Sequence, residues 1–227
     1  MVKRKLTADD GFNPELVAGA TFDGIFEIPH IKPPQNIITP EGFTPFSKRR
    51  YAPTNDEALC FFEMDTVFAD VFRNPYAYID EFNAFPVFIP CDNSLYRDSP
   101  LAVQVSNVYR SRAIGHFYQQ HGANVYPLVR WGDERTYTTC ALPEKVAFAG
   151  IEHRSPVVIS TYGCIRGRDN KYHFRAGLEA MLEELEPSLV LVYGSMPDEV
   201  FAGLSGKTIF RQFPDWISRV KGCEKHG

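Results

Sequence analysis

The sequence predicts an α/β fold built from repeated βα units, and three observations carry that prediction. Four short apolar runs stop abruptly at polar and glycine residues: Val87-Phe88-Ile89-Pro90 before Cys91-Asp92-Asn93-Ser94, Val125-Tyr126-Pro127-Leu128-Val129 before Arg130-Trp131-Gly132-Asp133-Glu134, Val157-Val158-Ile159-Ser160-Thr161 before Tyr162-Gly163-Cys164, and Leu189-Val190-Leu191-Val192 before Tyr193-Gly194-Ser195. Strand starts recur at intervals of roughly 20 to 40 residues, the period of a strand with its crossover helix. Helical patterns fill the intervals. Buried parallel strands read as continuous apolar runs, and α/β proteins place ligands at the carboxyl ends of such strands. The polar clusters are therefore expected to converge on one edge. Because a cluster follows almost every strand, a shortened TIM-like barrel is favoured over an open doubly wound sheet.

Taken in order, residues 1–55 read as an irregular proline-rich arm, with Pro14, Pro29, Pro33, Pro34, Pro40, Pro45 and Pro53 and several glycines among them. Phe12, Phe22, Phe26, Phe43 and Phe46 are expected to pin this arm by their rings, to its own domain or to a neighbouring subunit, since a buried ring contributes about 1.5 to 3 kcal/mol. Residues 56–215 form the βα-repeat domain. Ala58–Phe62 reads as its first strand, followed by helical segments at 65–73 and 75–83, the second opened by Asn74-Pro75. A long helix is expected from Ser99-Pro100 to His121, ended by Gly122. Its apolar residues lie on more than one face, as in a well-buried helix. A shorter helix falls within 133–149. Phe174, Leu178, Met181, Leu182 and Leu185 then repeat at helical spacing after Asp169 or Asn170, either of which can cap the helix, and Pro187 stops it. Residues 198–204 read as a short helix, 208–212 as a last strand and 216–227 as a charged tail.

Composition narrows the class. The hydrophobic content of 44% and the 18 Phe and 11 Tyr describe a folded chain rather than a disordered one. A formal net charge of −4 gives no overall attraction to nucleic acid or to an anionic membrane. The short basic runs Lys3-Arg4-Lys5 and Lys48-Arg49-Arg50 read as solvated turns. Cys60, Cys91, Cys140, Cys164 and Cys223 are odd in number and widely spaced, which suits buried thiols in a reducing compartment rather than a disulfide framework. The opening MVKRKLTADDGF has no apolar core of a secretory signal, and no stretch is long and apolar enough to span a bilayer.

The polar clusters supply the candidate site. Asp92 ends an apolar strand, where a carboxylate can serve as nucleophile, general base or metal ligand, and Arg97 close by can hold an anion. Asp98 or Ser99 can equally cap the helix ahead of Pro100. Arg130 followed by Trp131 can clamp a planar or anionic ligand, with Asp133 and Glu134 as acid, base or metal-binding groups. The alternative is that Asp133 and Glu134 open the next helix and Trp131 is core. Thr161 to Arg168 can bind phosphate through loop amides and arginines, but carries neither a phosphate-loop nor a Rossmann fingerprint. Cys164 reads first as an inert thiol and second as a nucleophile or ligand. Ser195 as a nucleophile would need a histidine base, and no histidine has a telling spacing. The site so read has Asp92, Asp133 and Glu134 as catalytic residues and Ser94, Tyr96, Arg97, Arg130, Trp131, Thr161, Gly163, Tyr193 and Gly194 as substrate-binding residues. No metal site, cofactor or oligomeric state is assigned.

The stretch from Asp92 to Gln212 also resembles a known family. Asp92-Asn93-Ser94-Leu95-Tyr96-Arg97-Asp98-Ser99-Pro100, Asn107-Val108-Tyr109-Arg110-Ser111-Arg112, Val129–Glu134, Ile159–Cys164 and Val192–Ser195 together are similar to domain-of-unknown-function family 4417, found in bacteria, phages and plasmids. The resemblance implies an intracellular, often mobile-element-encoded protein in the cytoplasm of its cell or host, and implies no activity. With the strand-end clusters it suggests an enzyme acting on a nucleotide, nucleobase or glycosyl-type substrate. A non-catalytic accessory protein that binds a small molecule or a host protein is the alternative, and nucleic-acid binding is disfavoured by the net charge.

Overall fold

A computed structural model describes residues 12–52 and 56–224; the Lys3-Arg4-Lys5 run, Pro53 and most of the opening segment lie outside the described residues, as does the side chain of Cys223. The strands are β1 (Phe22–Asp23), β2 (Ile28–Pro29), β3 (Phe43–Pro45), β4 (Ala58–Cys60), β5 (Val87–Phe88), β6 (Val157–Ser160), β7 (Leu189–Tyr193) and β8 (Ile209–Phe213). The helices are α1 (Asp65–Arg73), α2 (Ile79–Asn83), α3 (Leu101–Gln120), α4 (Glu134–Tyr137), α5 (Gly167–Leu185), α6 (Asp198–Phe201) and α7 (Trp216–Glu224). β1 and β2 form an antiparallel pair. β3-β4-β5 and β6-β7-β8 are two parallel sheets, each in chain order. The α/β class is as expected.

β4 to β7 are buried along their whole length because both of their faces are covered, whereas β8 is an exposed edge strand with Arg211 and Gln212 in it. Phe43, Ala58, Cys60, Val87, Tyr126, Leu128, Val158, Leu191, Tyr193 and Phe213 form one core cluster that draws on both parallel sheets. The alternate residues turn the other way. Leu59, Phe61 and Phe88 meet α1 and α3, while Val157, Ile159, Val190 and Val192 meet the apolar stripe of α5. That stripe is the one the spacing predicts, with Phe174, Leu178, Met181, Leu182 and Leu185 all buried. The helix starts at Gly167, so Asp169 lies in its first turn and does not cap it; Glu186 leaves it at φ 43°, ahead of Pro187.

No closed barrel forms among the described residues, and two joins account for this. The run Val125–Val129, expected as a full strand, touches its neighbours only through the single bridges Phe88↔Val125 and Leu128↔Val158. Pro127 between them has no N–H to donate, so the ladder cannot continue. At the other join, β3 and β8 meet through the rings of Phe43 and Phe213, 4.8 Å between centroids, without backbone pairing.

α3 crosses beside the first join and is buried on several faces, as its sequence predicts. Gly115 is needed there, because a Cβ would strike Ile31 and Pro90. Gly122 ends the helical run at φ 99°. Arg112 is the most demanding residue of the core: it is 2% exposed and has no acidic partner among the described residues. It donates instead to three carbonyls, Leu128 O at 2.7 Å, Ala147 O at 3.0 Å and Ala149 O at 3.0 Å. Burial pushes its guanidinium down to about 9, which leaves it charged at neutral pH.

Two other segments depart from their expectations, and a third, the short helix expected in part of 133–149, is found there. The front end carries regular structure, since β3 is a parallel strand of the first sheet. Of the five rings expected to pin it, only Phe43 and Phe46 are buried, and Leu16, Ile28 and Ile31 supply the remaining anchors. The helix expected within 133–149 is confined to Glu134–Tyr137, where Thr138 bonds back to Glu134 O at 2.6 Å and Pro143 follows. Residues 216–224, expected as part of a charged tail, form α7; Arg219 on it pairs with buried Glu57 at 2.9 Å and lies over the Trp216 ring. Among the described residues no helix is long and apolar enough to cross a membrane.

Arg112→Met keeps the aliphatic stem and removes the donors, leaving three buried carbonyls unpaired. A loss of about 3 kcal/mol or more is expected in urea-unfolding midpoints, whereas a change at exposed Arg168 should stay within about 0.5 kcal/mol.

Candidate functional site

A cavity of about 630 Å³ opens at the carboxyl ends of the parallel strands. Its walls come from Phe62, Glu63 and Met64 after β4, Asp92 and Ser94–Arg97 after β5, Val129–Gly132, Ser160 and Tyr162–Cys164 at the end of β6, and Asn170, His173 and Phe174 on the first turns of α5. The position is the one that parallel-sheet topology favours for ligands. Its volume lies in the range of small-molecule sites.

The floor is set by Arg130. Its Nε donates to Asp92 Oδ1 at 2.8 Å, its Nη2 donates to Asp92 Oδ2, and its Nη1 donates to Cys164 Sγ at 2.6 Å. Asp92 is 5% exposed, so the pair is largely withdrawn from water. Burial alone would lower the Arg130 guanidinium, but the facing Asp92 and Cys164 outweigh it and hold the group above its ordinary value. Cys164 is brought there by a tight turn in which its N–H donates to Thr161 O at 3.0 Å, with Gly163 at φ 76°. Its thiol also donates to Tyr162 O at 3.3 Å.

The other expected residues divide. Ser94 lines the cavity but is tied to Asp65, from its N–H at 3.2 Å and from its hydroxyl at 2.8 Å. Tyr96 is 63% exposed at the mouth. Arg97 also lines it and donates to Asn170 Oδ1 at 2.9 Å. Trp131 presents one edge, while the rest of its ring packs on Phe174 at 5.0 Å and over Gly177, so the face expected as a stacking platform is covered. Gly163 lines the cavity as well.

Asp133, Glu134, Thr161, Tyr193 and Gly194 are not among its walls. Asp133 caps α4 by accepting from Arg135 N at 2.9 Å and binds the Arg135 side chain through Nε at 2.8 Å and Nη2 at 2.6 Å. Those Arg135 bonds pull its carboxyl down to about 2. Glu134 is exposed in the same first turn. Of the two readings open for this pair, the helix start is the one the structure contains. Thr161 donates to Ser195 O at 2.8 Å, tying the ends of β6 and β7 together. Gly194, at φ 115°, leaves room for the Thr161 hydroxyl. Tyr193 stacks on Phe62 at 4.7 Å and meets Tyr162 edge-on at 5.9 Å, backing two walls from behind.

Sequence reasoning passed over Glu63, Tyr162, Asn170 and His173, and set Cys164 aside as inert. The signal for Asn170 and His173 lies in the helical spacing: they precede Phe174 by four residues and one, so they begin the stripe that turns toward the sheet. Glu63 and Met64 follow Ala58–Phe62 as the other clusters follow their strands. Cys60, Cys91, Cys140 and Cys164 are free thiols. Burial pushes the Cys60 and Cys91 thiols well up, whereas Cys164 opens on the cavity.

These features define an α/β protein with a ligand-sized cavity at the ends of parallel strands. The chain belongs to the family described as "Domain of unknown function (DUF4417)", which matches residues 20–214. The "Gene 1 protein" of Mycobacterium phage D29 is 33% identical over 174 residues, 75% of this chain and 61% of that protein. The "Gene 1 protein" of Mycobacterium phage L5 is 31% identical over 172 residues, 75% of this chain and 72% of that protein. The match thus spans less than two thirds of the length of the D29 relative. No solved structure matches the chain.

The folded-state value of Asp133 lies below its ordinary 3.8, so its contribution to stability is present in full above about pH 4 and is lost as pH falls through about 2. Asp133→Asn should lower the thermal midpoint at pH 7, and the difference from the unsubstituted chain should close as acid is added toward pH 2. A difference that stays constant across that range would contradict the assignment.

Proposed function

We propose that the chain is an enzyme that takes a nucleotide, nucleobase or glycosyl-type substrate into the large strand-end cavity. The observation that carries this reading is the fork of Arg130 between Asp92 and Cys164, a carboxylate, a guanidinium and a thiol fixed on one floor. Phe62, Tyr162 and Phe174 offer rings to a planar group. Arg97, engaged by Asn170 and at 3.9 Å by exposed Asp169, has donors left for a phosphate or hydroxyl group. His173 lines the cavity with no hydrogen-bond partner among the described residues and is the candidate proton carrier. Asp92 is the carboxylate of the site, oriented by Arg130. The same reading treats the two parallel sheets as parts of an incomplete TIM-like barrel, supported by the core cluster they share.

A second reading has an observation of its own. Both oxygens of Asp92 are already engaged by Arg130, as in a floor that recognises a ligand without turning it over. In that case the chain is an accessory protein that binds a small molecule or a host protein. The exposed Met64 and Tyr96, 74% and 63% accessible at the mouth, suit such contacts.

Thermal unfolding against nucleotides, nucleobases and sugars tests the first reading. A ligand at 100 times its dissociation constant should add about 2.7 kcal/mol, a rise of roughly 5 to 10 °C. The same ligand should protect Cys164 from iodoacetamide and leave exposed Cys140 reactive. Arg97→Ala should weaken binding about tenfold, or about 1.4 kcal/mol. Chromatography after long incubation separates the readings: conversion that is abolished in His173→Ala supports an enzyme, and quantitative recovery of a bound ligand supports the binder. A panel with no midpoint shift and no Cys164 protection would set the small-molecule reading aside.

A further inference from the structure

A second cavity, of about 160 Å³, lies on the other side of the loop that supplies Asp92. The loop residues alternate between the two: Asp92 and Ser94 line the large cavity, while Cys91 and Asn93 line the small one. This second cavity has an unmet demand. Asn93 is 8% exposed, and its Nδ2 is buried with no hydrogen-bond partner. Arg110 on α3 lines the same space, lies over the Phe72 ring at 5.3 Å, and has a buried Nε without a partner. Asp65 and Thr66 also line the space, but the Asp65 oxygens take the Ser94 N–H and hydroxyl, and neither residue accepts from Asn93 Nδ2 or Arg110 Nε. Two buried donors therefore border a space in which no protein acceptor meets them, an arrangement that is costly to leave unmatched.

The remaining walls decide which acceptor fits. Phe68, Ala69, Phe72 and Ile114 form an apolar side, and Asp65, Thr66 and Arg73 complete the lining, so that Arg73 and Arg110 bring two cations against the one carboxylate of Asp65. Waters on the apolar side would lack partners there. A tetrahedral phosphate would turn oxygens toward the rings, whereas a carboxylate carries its two oxygens on one side and an apolar tail on the other. We propose that this cavity is a binding site for a short-chain aliphatic carboxylate, its oxygens on Asn93 Nδ2 and the Arg110 guanidinium and its tail against Phe68 and Phe72. Small sites with apolar walls and a few convergent polar groups orient their ligands in this way. The site stands apart from the function proposed above, since none of its lining residues is shared with the large cavity. It does share a loop with it, so an occupant would stiffen the segment that presents Asp92.

Sodium butyrate is the probe, with the full chain titrated by calorimetry and by nuclear magnetic resonance. Saturable binding is expected, with intermolecular Overhauser contacts from the butyrate methyl group to the Phe68 and Phe72 rings. Arg110→Met keeps the stem over Phe72, and Asn93→Asp keeps the shape while setting a carboxylate against the ligand. Each should weaken butyrate about tenfold or more, and inorganic phosphate should not compete. Contacts to Phe174 or Tyr162 would put the probe in the large cavity and overturn the assignment. So would competition by phosphate, unchanged affinity in both folded variants, or no saturation at millimolar butyrate. The Overhauser contacts are read on the unsubstituted chain, so they decide the matter even if neither variant folds.

Discussion

The guanidinium of Arg112 is the interaction on which the architecture rests. Its three carbonyl acceptors come from the two stretches that regular pairing leaves least supported: Leu128 in the interrupted strand after Pro127, and Ala147 and Ala149 in the segment leading to β6. A proline in a central run removes a ladder bond and would ordinarily be excluded from such a place. Here a fully buried cation on the neighbouring helix holds the same stretch by its side chain. A buried charge without a counter-ion is tolerable only when its donors are met, and all three guanidinium nitrogens are. The consequence reaches the cavity, because Leu128 stands two residues before Arg130.

The cavity floor follows the same logic with one change of partner. Arg112 is solvated by carbonyls, with no counter-ion among the described residues; Arg130 is solvated by a carboxylate and a sulfur. Both use an arginine where a lysine could not serve, since only the planar fork can meet three acceptors in fixed directions at once. Placed between Asp92 and Cys164, Arg130 joins the end of β5 to the turn after β6 across the single-bridge join. The two sheets are thus tied at their carboxyl ends by side chains where their backbones barely pair.

What could be read in the sequence follows from which forces are local. β4 to β7 were legible because both faces of each are buried, which leaves continuous apolar runs such as Val157–Ile159 and Leu189–Val192. α3 and α5 were legible through periodicity and their stops at Gly122 and Pro187. Closure was not, because it turns on whether Phe43 and Phe213 meet through rings or through backbone, and composition carries no trace of that difference. Of the residues in the polar clusters, Asp92, Ser94, Tyr96, Arg97, Arg130, Trp131 and Gly163 line the cavity. Asp133 and Glu134 fell outside because a carboxylate after a strand is equally a helix cap, and the Arg135 beside it decides in favour of the cap only through geometry. The union of Asp92 with Arg130 spans 38 residues and has no local signature.

That union also determines how a ligand would have to be recognised. Once Arg130 has given its donors to Asp92 and Cys164, the deepest charges in the cavity compensate one another, and a ligand reaching the floor meets a dipolar surface rather than a bare cation. Recognition of a net charge must then come from higher up, from Arg97 at the mouth, which is only loosely held by Asn170 and exposed Asp169. An anionic group would sit outward and a neutral ring or sugar inward, because burying the anion beside Asp92 would set like charges together in a poorly solvated place. The orientation of any ligand is therefore constrained by a contact made entirely within the protein. A change that freed Arg130 from Asp92 would be expected to reverse that polarity before it altered the shape of the cavity.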